Sequence, residues 1–362
     1  MRHFEKRTQA QYIYLAKKLL SREKRHKIGA YLVMSMRKLA NDKYEGHEQR
    51  FGSPWSALCA GGLTRQMWVL KKPFGNKRRG DKVFSKAKYE YMLSQGAEFR
   101  LVRFPKDNKT KEALSLMAER VSVIHHDCQF GFIHERDCVK SAERHSYAKS
   151  LYLLDFENAF DQVTHLEVEN IFKEVFLVNE VEANKLADLC CYNGHLYQGN
   201  PMAPALFNIR ALECAERLDR LMKANGGVCT IYADDVTISH PWWGHFSKGF
   251  QRTILRIIHE CGLEVNEKKC KLARVSPRKI GHYDITGLAI DFDEIGLPYV
   301  RPLKRKQTLK KARFIDYLRS IGIEYSLELT KNGDRKDLMQ VARGLYIWGY
   351  RRGELEKPQL TL

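Results

Sequence analysis

Long apolar runs are missing from this sequence. Although 44% of its 362 residues are hydrophobic, no run reaches the roughly 20 apolar residues that a membrane-spanning helix needs. The first residues also lack the pattern of a secretory signal peptide. These absences predict a soluble, cytoplasmic chain without a membrane partner. Internal repeats and low-complexity tracts are missing as well, which favours a globular protein of two or three packed units.

Cysteine is present without the spacings of a disulfide framework or a zinc site. The count is nine, an odd number, and no two cysteines form a Cys-x-x-Cys pair. Most of the cysteines are therefore expected to be reduced and buried. His125 and His126 precede Cys128, but a loop is favoured there over a metal site. Protease, nuclease and helicase motifs are also missing, so any effector activity would have to come from a partner or a product.

Acidic residues are too few to balance the basic ones. Lys and Arg total 62 and Asp and Glu total 43, which gives a net charge of +19. An excess of this size favours a polyanionic partner, and salt-sensitive binding of nucleic acid is the expectation. The basic, turn-rich segment 71–80 is interpreted as a contact for RNA phosphates, with an exposed loop as the alternative.

Two adjacent carboxylates interrupt an apolar, β-branched run at residues 232–235 (Tyr-Ala-Asp-Asp). Burying two carboxylates in one core is costly, and neighbouring positions of a strand face opposite sides. A tight turn between two short strands would place Asp234 and Asp235 at its tip, where a divalent cation neutralises them. A plain polar hairpin tip is the alternative for this segment taken alone.

A third carboxylate, Asp155, ends the apolar run 151–154, which has the character of a strand covered on both faces. If this strand pairs with the hairpin in one sheet, Asp155 meets Asp234 and Asp235. Three carboxylates without nearby His or Cys suit hard cations such as Mg²⁺. Two such ions, about 3.5–4 Å apart, clamp the attacking and leaving oxygens of a phosphoryl displacement.

Four segments resemble the motifs of reverse transcriptases, and they follow one another along this chain in the family's order. Residues 232–235 resemble the catalytic motif, and Asp155 followed five residues later by Phe160 resembles the first palm motif. The segment 198–204 (Gln-Gly-Asn-Pro-Met-Ala-Pro) resembles the Gln-Gly…Ser-Pro motif between them. Residues 262–269 resemble the Gly-x-x-x-Asn-x-x-Lys segment that follows. The resemblance implies an RNA-directed DNA polymerase of α+β class, a right hand with fingers, a palm of mixed sheet and helices, and a helical thumb.

The resemblance also implies roles for individual residues. The three aspartates, with Asp235 as the third ligand or behind the other two, would hold two Mg²⁺ ions together with the backbone carbonyl of Phe156. Lys269 would approach the triphosphate and protonate the leaving pyrophosphate, with Lys268 as the alternative. The chain departs from the family at Ala203, where Ser is usual.

For the nucleotide, the resemblance implies dNTPs, because the ring of Phe160 would exclude a ribose 2′-hydroxyl. Gln198 and Gly199 would lie beside the sugar or the base. Arg100 and Arg103 occupy the region from which the family's fingers supply basic residues to the triphosphate. Three residues apart on a strand, they would face opposite sides, so only one of them is expected to contact nucleotide.

Two further segments resemble those of bacterial retron reverse transcriptases. Residues 131–145 contain Gly-Phe-Ile and Ser-Ala-Glu-Arg-His, similar to a Gly-Phe…Asn-Ala-x-x-His region, with Ser141 in place of Asn. Residues 285–288 (Ile-Thr-Gly-Leu) resemble a Val-Thr-Gly-Leu segment that falls at the primer grip. Gly287 and Leu288 are therefore candidate contacts of the primer or RNA.

A retron-like enzyme would bind a cognate structured noncoding RNA and copy part of it into DNA, often primed from an RNA 2′-hydroxyl. Such enzymes commonly act in anti-phage defence beside a separate effector protein. Two alternatives stay open. One is a non-retron, defence-associated reverse transcriptase that makes repetitive or untemplated DNA. The other is an RNA-binding scaffold without polymerase activity, which the retention of three costly carboxylates disfavours.

The same resemblance divides the chain into parts. We expect a basic N-terminal extension at 1–85, fingers at 86–150 and 165–195, palm at 151–164 and 196–290, and a helical thumb at 291–362. A basic helix face in the thumb would suit a duplex recognised by shape. The basic residues at its start are Arg301, Lys304, Arg305, Lys306, Lys310, Lys311 and Arg313.

Overall fold

The computed structural model describes residues 2–60, 62–71, 82–83, 85–274, 285–286, 288–292 and 298–302. Its helices are α1 (Arg2–Leu19), α2 (Arg22–Tyr44), α3 (Pro54–Cys59), α4 (Lys86–Ser94), α5 (Asn108–Val121), α6 (Cys138–Glu143), α7 (His165–Asn170), α8 (Glu180–Cys190), α9 (Ala203–Arg210), α10 (Leu212–Ala224) and α11 (Lys248–Glu260). Its strands are β1 (Thr64–Leu70), β2 (Lys82–Val83), β3 (Phe99–Pro105), β4 (Ser150–Asp155), β5 (Cys191–Tyr192), β6 (His195–Leu196), β7 (Val228–Tyr232), β8 (Asp235–His240), β9 (Lys271–Arg274), β10 (Leu288–Phe292) and β11 (Pro298–Pro302). This mixture of helices and sheets agrees with the predicted α+β class.

Four strands form the sheet that carries the candidate site. Their order is β7-β8-β4-β9, and every pairing is antiparallel. The strand predicted to end at Asp155 is β4, and its register places Asp155 directly opposite Asp235 of β8. Pairing between β4 and the hairpin, on which the predicted meeting of the carboxylates depends, is therefore present.

A second sheet has the order β2-β1-β3. Its strands β1 and β3 pair over their full length and place Val69 opposite Arg100. Since β1 precedes residue 85 and β3 follows it, the segment predicted as an N-terminal extension shares a sheet with the segment after it.

One hydrophobic core packs helices against a face of the first sheet. Tyr152 and Leu154 of β4 point into it beside Val236 and Ile238 of β8, as the two-residue alternation of a strand requires. Helices that precede these strands along the chain and helices that follow them contribute to the same core. This core buries most of the apolar faces of those helices. Removal of this apolar surface from water is the main force that holds the sheet in place.

A buried ionic network ties several elements together behind the sheet. Thr164 and Glu167 form a reciprocal capping box at the start of α7. Glu167 also accepts a hydrogen bond of 2.7 Å from the buried guanidinium of Arg210 in α9. Arg210 donates further to the carbonyls of Cys261 and Gly262 at 2.9 and 3.2 Å. The network fixes the loop after α11, from which the chain returns toward Asp155.

The described residues form two compact units. The larger comprises residues up to 137 and 148–274, and the smaller comprises 138–147 and the residues beyond 274. Within the smaller unit β10 pairs with β11, a strand that lies inside the segment predicted as a helical thumb. The helices predicted for the thumb lie outside the described residues. In the part of the chain that the structure describes, no helix combines the length and apolarity needed to cross a membrane.

Candidate active site

The site is built on the turn between β7 and β8. Register pairs Tyr232 with Asp235, so the connection is the two-residue turn Ala233–Asp234, and Ala233 adopts a positive φ of 57°. The backbone N–H of Phe156 donates to the carbonyl of Asp234 at 2.8 Å, which joins the end of β4 to this turn. The tight turn predicted from the two adjacent aspartates is therefore present.

A cavity of about 340 Å³ opens beside this turn. Its lining residues are Leu70, Lys71, Arg100, Asp155, Phe156, Asn158, Ala159, Phe160, Asp161, Gln198, Asp234 and Lys269. Two of the three predicted carboxylates, Asp155 and Asp234, line it, whereas Asp235 does not. Asp234 lies in the turn itself, whereas Asp235 is the first residue of β8.

Lys269 holds the carboxylate of Asp155. Its Nζ lies 2.6 and 2.9 Å from the two oxygens of Asp155. The lysine ends the 3₁₀ turn Glu267–Lys269, and the preceding Asn266 donates its backbone N–H to the carbonyl of Asp155 at 2.8 Å. Lys268 lines a different groove, so of the two lysines considered, Lys269 is the one at the carboxylates.

Burial and the neighbouring charge of Asp155 raise the pKa of Asp234 above the ordinary range of an aspartate. A backbone hydrogen bond and the cations Lys269 and Arg100 oppose that shift. A carboxylate in such surroundings favours a further cation beside it, because a positive charge offsets both the lost hydration and the repulsion between the two aspartates.

Two observations bear on whether a metal fits here. Among the described residues, no three His, Cys, Asp or Glu side chains converge closely enough to hold a metal ion. The cavity nevertheless presents two carboxylates, and a cation, the Lys269 ammonium, already contacts both oxygens of Asp155. Mg²⁺ is commonly bound by one or two carboxylates completed by water and substrate phosphates, so this donor set fits that ion.

Two further cations line the cavity with the carboxylates. Lys71 follows the end of β1, where its N–H donates to the carbonyl of Glu98 at 2.8 Å, and Arg100 lies on β3. Lys71 was not predicted as a nucleotide contact, since the segment 71–80 was interpreted as an RNA-binding loop. The rest of that segment lies outside the described residues. Lys71 stands at the end of a strand that pairs with β3, and this position could have indicated it as a contact of the nucleotide.

Arg103 points away from the cavity. Its guanidinium lies 3.3 Å from the centroid of the Tyr192 ring and donates to Gln66 at 3.2 Å. The backbone N–H of Arg103 donates to the carbonyl of Gln198 at 2.8 Å. Of the two arginines predicted to reach nucleotide, Arg100 therefore lines the cavity and Arg103 fixes its wall.

Aromatic side chains form the floor. Phe207 of α9 makes edge contacts with Phe156 and Phe160, at ring-centroid distances of 5.6 and 6.0 Å. The ring of Phe156 is buried, which leaves its backbone as the group available to a ligand. Phe160 is only partly buried and lines the cavity, supported from behind by Phe207.

The Gln-Gly pair closes the cavity wall. Gly199 has a φ of 104°, and a Cβ there would lie 1.9 Å from the carbonyl oxygen of Arg103, so only glycine fits. Gln198 lines the cavity. Ala203, which replaces the usual Ser, is fully buried at the start of α9. Alanine at such a position leaves no hydroxyl in need of a partner.

A loop from the retron-like region supports the turn from behind. The N–H of Ile231 donates to the carbonyl of Cys128, and the N–H of Phe130 donates to the carbonyl of Ile231, both at 2.7 Å. A Cβ on Gly131 would lie 2.3 Å from the backbone nitrogen of Ala233. Asn208 of α9 donates its amide to the carbonyl of Gly131 at 2.9 Å. The motif that resembles a branch signature is thus a structural support of the turn.

The loop is itself held by Arg136. Its guanidinium donates to the carbonyls of Asp127 and Gln129 at 2.9 and 2.8 Å. In the smaller unit, the His145 of the same motif is fully buried, and burial lowers its pKa to about 3, which keeps the ring neutral.

The predicted RNA and primer contacts are mostly not described. Gly287, Lys304, Arg305, Lys306 and Lys310 lie outside the described residues. Leu288 begins β10, and its backbone exchanges hydrogen bonds with Ile285 at 2.8 and 3.0 Å. Its side chain is buried, so Leu288 itself offers only its backbone for a contact.

Comparison with known proteins agrees with this geometry. The sequence profile of the family "Reverse transcriptase (RNA-dependent DNA polymerase)" matches residues 97–317, more than half of the chain. The chain is 26% identical to the Retron Ec48 reverse transcriptase of Escherichia coli over 164 residues, 45% of this chain and 40% of that protein. It is 29% identical to the Retron Ec86 reverse transcriptase of Escherichia coli over 168 residues, 46% of this chain and 50% of that protein. The matched regions thus span half or less of the length of these curated relatives.

Proposed function

The chain belongs to the reverse transcriptase (RNA-dependent DNA polymerase) family, and from this premise we propose that it is a retron-like enzyme that copies a cognate structured noncoding RNA into DNA. One observation carries the proposal: Asp155, Asp234, Lys71, Arg100 and Phe160 line a single cavity. Two carboxylates and two cations in one cavity suit a metal-bound triphosphate. We propose that the enzyme acts in the cytoplasm, in anti-phage defence, beside a separate effector protein.

In the proposed reaction a primer hydroxyl loses its proton to water and attacks the α-phosphorus of a dNTP, a new O–P bond forms, and the bond to pyrophosphate breaks. Arg100 and Lys71 bind the triphosphate and hold it in line with the primer. Lys269 neutralises the departing pyrophosphate and donates a proton to it. Charge neutralisation by positioned cations is the main source of catalysis in phosphoryl transfer.

The site residues for Mg²⁺ in this proposal are Asp155, Asp234 and the carbonyl of Phe156, with Asp235 as a third carboxylate beside them. Two Mg²⁺ ions, when bound, would supply charge neutralisation at the attacking and leaving oxygens. The support is the oxygen-only donor set and the contact of a cation with both oxygens of Asp155.

We also propose a right-hand organisation. The sheet that carries Asp155 and Asp234 would be the core of a palm at 151–164 and 196–290, with fingers at 86–150 and 165–195 and a helical thumb at 291–362. The pairing of β1 with β3 supports a contribution of the N-terminal segment to the fingers.

Replacing Arg100 with alanine is expected to raise the KM for dNTP by about 10-fold or more, because charge-assisted hydrogen bonds contribute roughly 1.5–3 kcal/mol. Arg103→Ala is the matched control, since it removes the same charge from the same strand but outside the cavity. Steady-state primer extension with varied dNTP measures both. Equal KM values for the two variants would contradict the assignment of Arg100 to the triphosphate.

Replacing Phe160 with alanine is expected to reduce discrimination against ribonucleotides by about 10–100-fold, the range over which pocket sterics distinguish small substituents. Single-nucleotide incorporation of a dNTP and its ribose counterpart gives the ratio of kcat/KM values. Phe250→Ala, which also removes a partly buried ring but one that does not line the cavity, should leave that ratio unchanged. A ratio unaltered by loss of Phe160 would exclude this ring as the selector.

The function as a whole is tested by purifying the chain expressed from its native locus and sequencing the nucleic acid that co-purifies, with and without RNase. A discrete RNA joined covalently to a defined single-stranded DNA is the expected result. Repetitive or protein-linked DNA would instead assign the chain to the non-retron defence enzymes. Bound RNA without DNA, even after addition of dNTPs and Mg²⁺, would overturn the proposed polymerase activity.

A further inference from the structure

A stiff loop at the far end of β8 presents an exposed tryptophan. The loop follows His240, whose Nδ1 accepts the backbone N–H groups of Trp242 and Trp243 at 3.1 and 2.9 Å. With Nδ1 accepting, Nε2 is the donor to the carbonyl of Asn225 at 2.7 Å. His240 therefore makes three hydrogen bonds, two to the loop and one to Asn225, which join the loop to the residue after α10.

Trp243 anchors the same loop in the core. Its ring stacks on His240 at 3.9 Å, nearly parallel, and makes edge contacts with Phe246 and Phe250 at 6.0 and 5.0 Å. By contrast, the side chain of Trp242 is 75% exposed. The two consecutive tryptophans thus differ in role: Trp243 packs the loop against the core, whereas Trp242 is exposed to solvent.

Two basic residues lie beside this loop. Lys149 Nζ lies 5.7 Å from the centroid of the Trp242 ring, and the N–H of Lys149 donates to the carbonyl of His240 at 2.9 Å. Arg274, the last residue of β9, lies with its guanidinium 3.9 Å from where a Cβ of Gly244 would stand. The loop is therefore approached by two cations, one from the residue that precedes β4 and one from the end of β9.

Acidic residues are missing from the chain segments that build this end of the sheet. Residues 148–154, 236–259 and 268–274 contain no Asp or Glu, although they contain several Lys and Arg. These segments supply no carboxylate to neutralise Lys149 and Arg274. An exposed aromatic ring on a loop with such cations has the chemistry of a surface that binds polyanions carrying flat rings.

We propose that Trp242, with Lys149 near its ring and Arg274 beside the same loop, is a stacking site for an unpaired base of single-stranded RNA. The ring would stack on the base, and the two cations would contact the phosphates on either side. His240, at the base of this loop, lies five residue steps along β8 from Asp235, about 17 Å at the rise of an antiparallel strand. The site thus lies apart from the catalytic cavity. The proposal depends on the binding of RNA and does not depend on DNA synthesis.

The test uses the full chain carrying Asp155→Asn, so that no polymerisation takes place. Fluorescence anisotropy with a short, unstructured, labelled RNA gives Kd. Trp242→Ala and Trp242→Leu are expected to raise Kd by about 10-fold, while Trp242→Phe stays close to the parent, because base stacking needs a π surface rather than bulk. Met34→Ala, which removes an exposed apolar side chain from α2, is the control and should leave Kd unchanged.

Charge and location are tested separately. Replacing both Lys149 and Arg274 with neutral residues should lower the slope of log Kd against the logarithm of the salt concentration by about 1.4. That decrease corresponds to the loss of two phosphate contacts on a single strand. RNA carrying 5-iodouridine should crosslink on irradiation to the peptide that contains Trp242, as identified by mass spectrometry.

Three results would overturn the proposal. One is an unchanged Kd for Trp242→Ala with no crosslink at Trp242. Another is parent-like binding by Trp242→Leu, which would indicate apolar burial instead of stacking. The third is a lower molar mass of Trp242→Ala in light scattering, which would make this face a contact between two copies of the chain. Because synthesis is disabled throughout, each of these results would leave the proposed polymerase function standing.

Discussion

Asp155→Asn is expected to reduce DNA synthesis by about a thousand-fold or more, since removal of even one well-placed electrostatic group from a catalytic site costs 10²–10³-fold. Asparagine keeps the shape of the side chain and removes the charge that both oxygens of Asp155 present to Lys269. It also halves the carboxylate pair that lines the cavity. Primer extension on an RNA template, under single-turnover conditions with Mg²⁺, measures the loss.

Glu157→Gln is the matched control for that experiment. Glu157 stands two residues after Asp155, is exposed, and lines a neighbouring groove instead of the cavity. Its amide variant should retain synthesis within a few-fold of the parent, and both variants should bind RNA as the parent does. Near-normal synthesis by Asp155→Asn would remove this carboxylate from the reaction and with it the proposed site.

The parts of the site that local sequence determines were the predictable ones. An apolar, β-branched run interrupted by two aspartates leaves few solutions other than a turn, and the turn at Ala233–Asp234 is present. The strand ending at Asp155 could be predicted in the same way, and the register with β8 brings Asp155 opposite Asp235. Hydrophobic pattern and the cost of burying charge act within a few residues, so the sequence alone carries them.

The parts that depend on pairing between distant segments could not be predicted. Alternation along β3 indicated that Arg100 and Arg103 face opposite sides, but not which of them faces the site. That choice is made by pairing with β1, some thirty residues earlier, and by the contact of Arg103 with Tyr192. The same pairing brings Lys71 to the cavity, although its own surroundings in the sequence read as a basic loop.

Glycine positions show the same division. Gly199 could be singled out because it belongs to a motif. The reason why glycine is needed there, a backbone oxygen where a Cβ would lie, is visible only in the fold. Gly131 resembled part of a branch signature and gave no indication of its contact with Ala233. Close approach of two backbones leaves no trace in hydrophobic pattern or charge, because glycine contributes neither.

That contact leads to the second large expectation. Gly131→Ala would place a Cβ 2.3 Å from the backbone nitrogen of Ala233, closer than atoms can approach. The turn that carries Asp234 must then shift relative to Asp155. A misplacement of about 1 Å in a catalytic arrangement costs on the order of 10²-fold in rate, and we expect a loss of that size in kcat. Overpacking of this kind also costs about 1–3 kcal/mol of stability, which chemical denaturation measures.

Gly249→Ala separates the local effect from the general effect of adding a methyl group. Gly249 lies in α11, where a Cβ would approach only the Ser247 hydroxyl, at 4.0 Å, so synthesis and stability should both be maintained. A folded Gly131→Ala variant that binds RNA but has lost kcat would establish that the loop from Cys128 to Gly131 positions the catalytic turn. Parent-like kcat in that variant would mean that the turn yields without moving Asp234, and the loop would then support the fold alone.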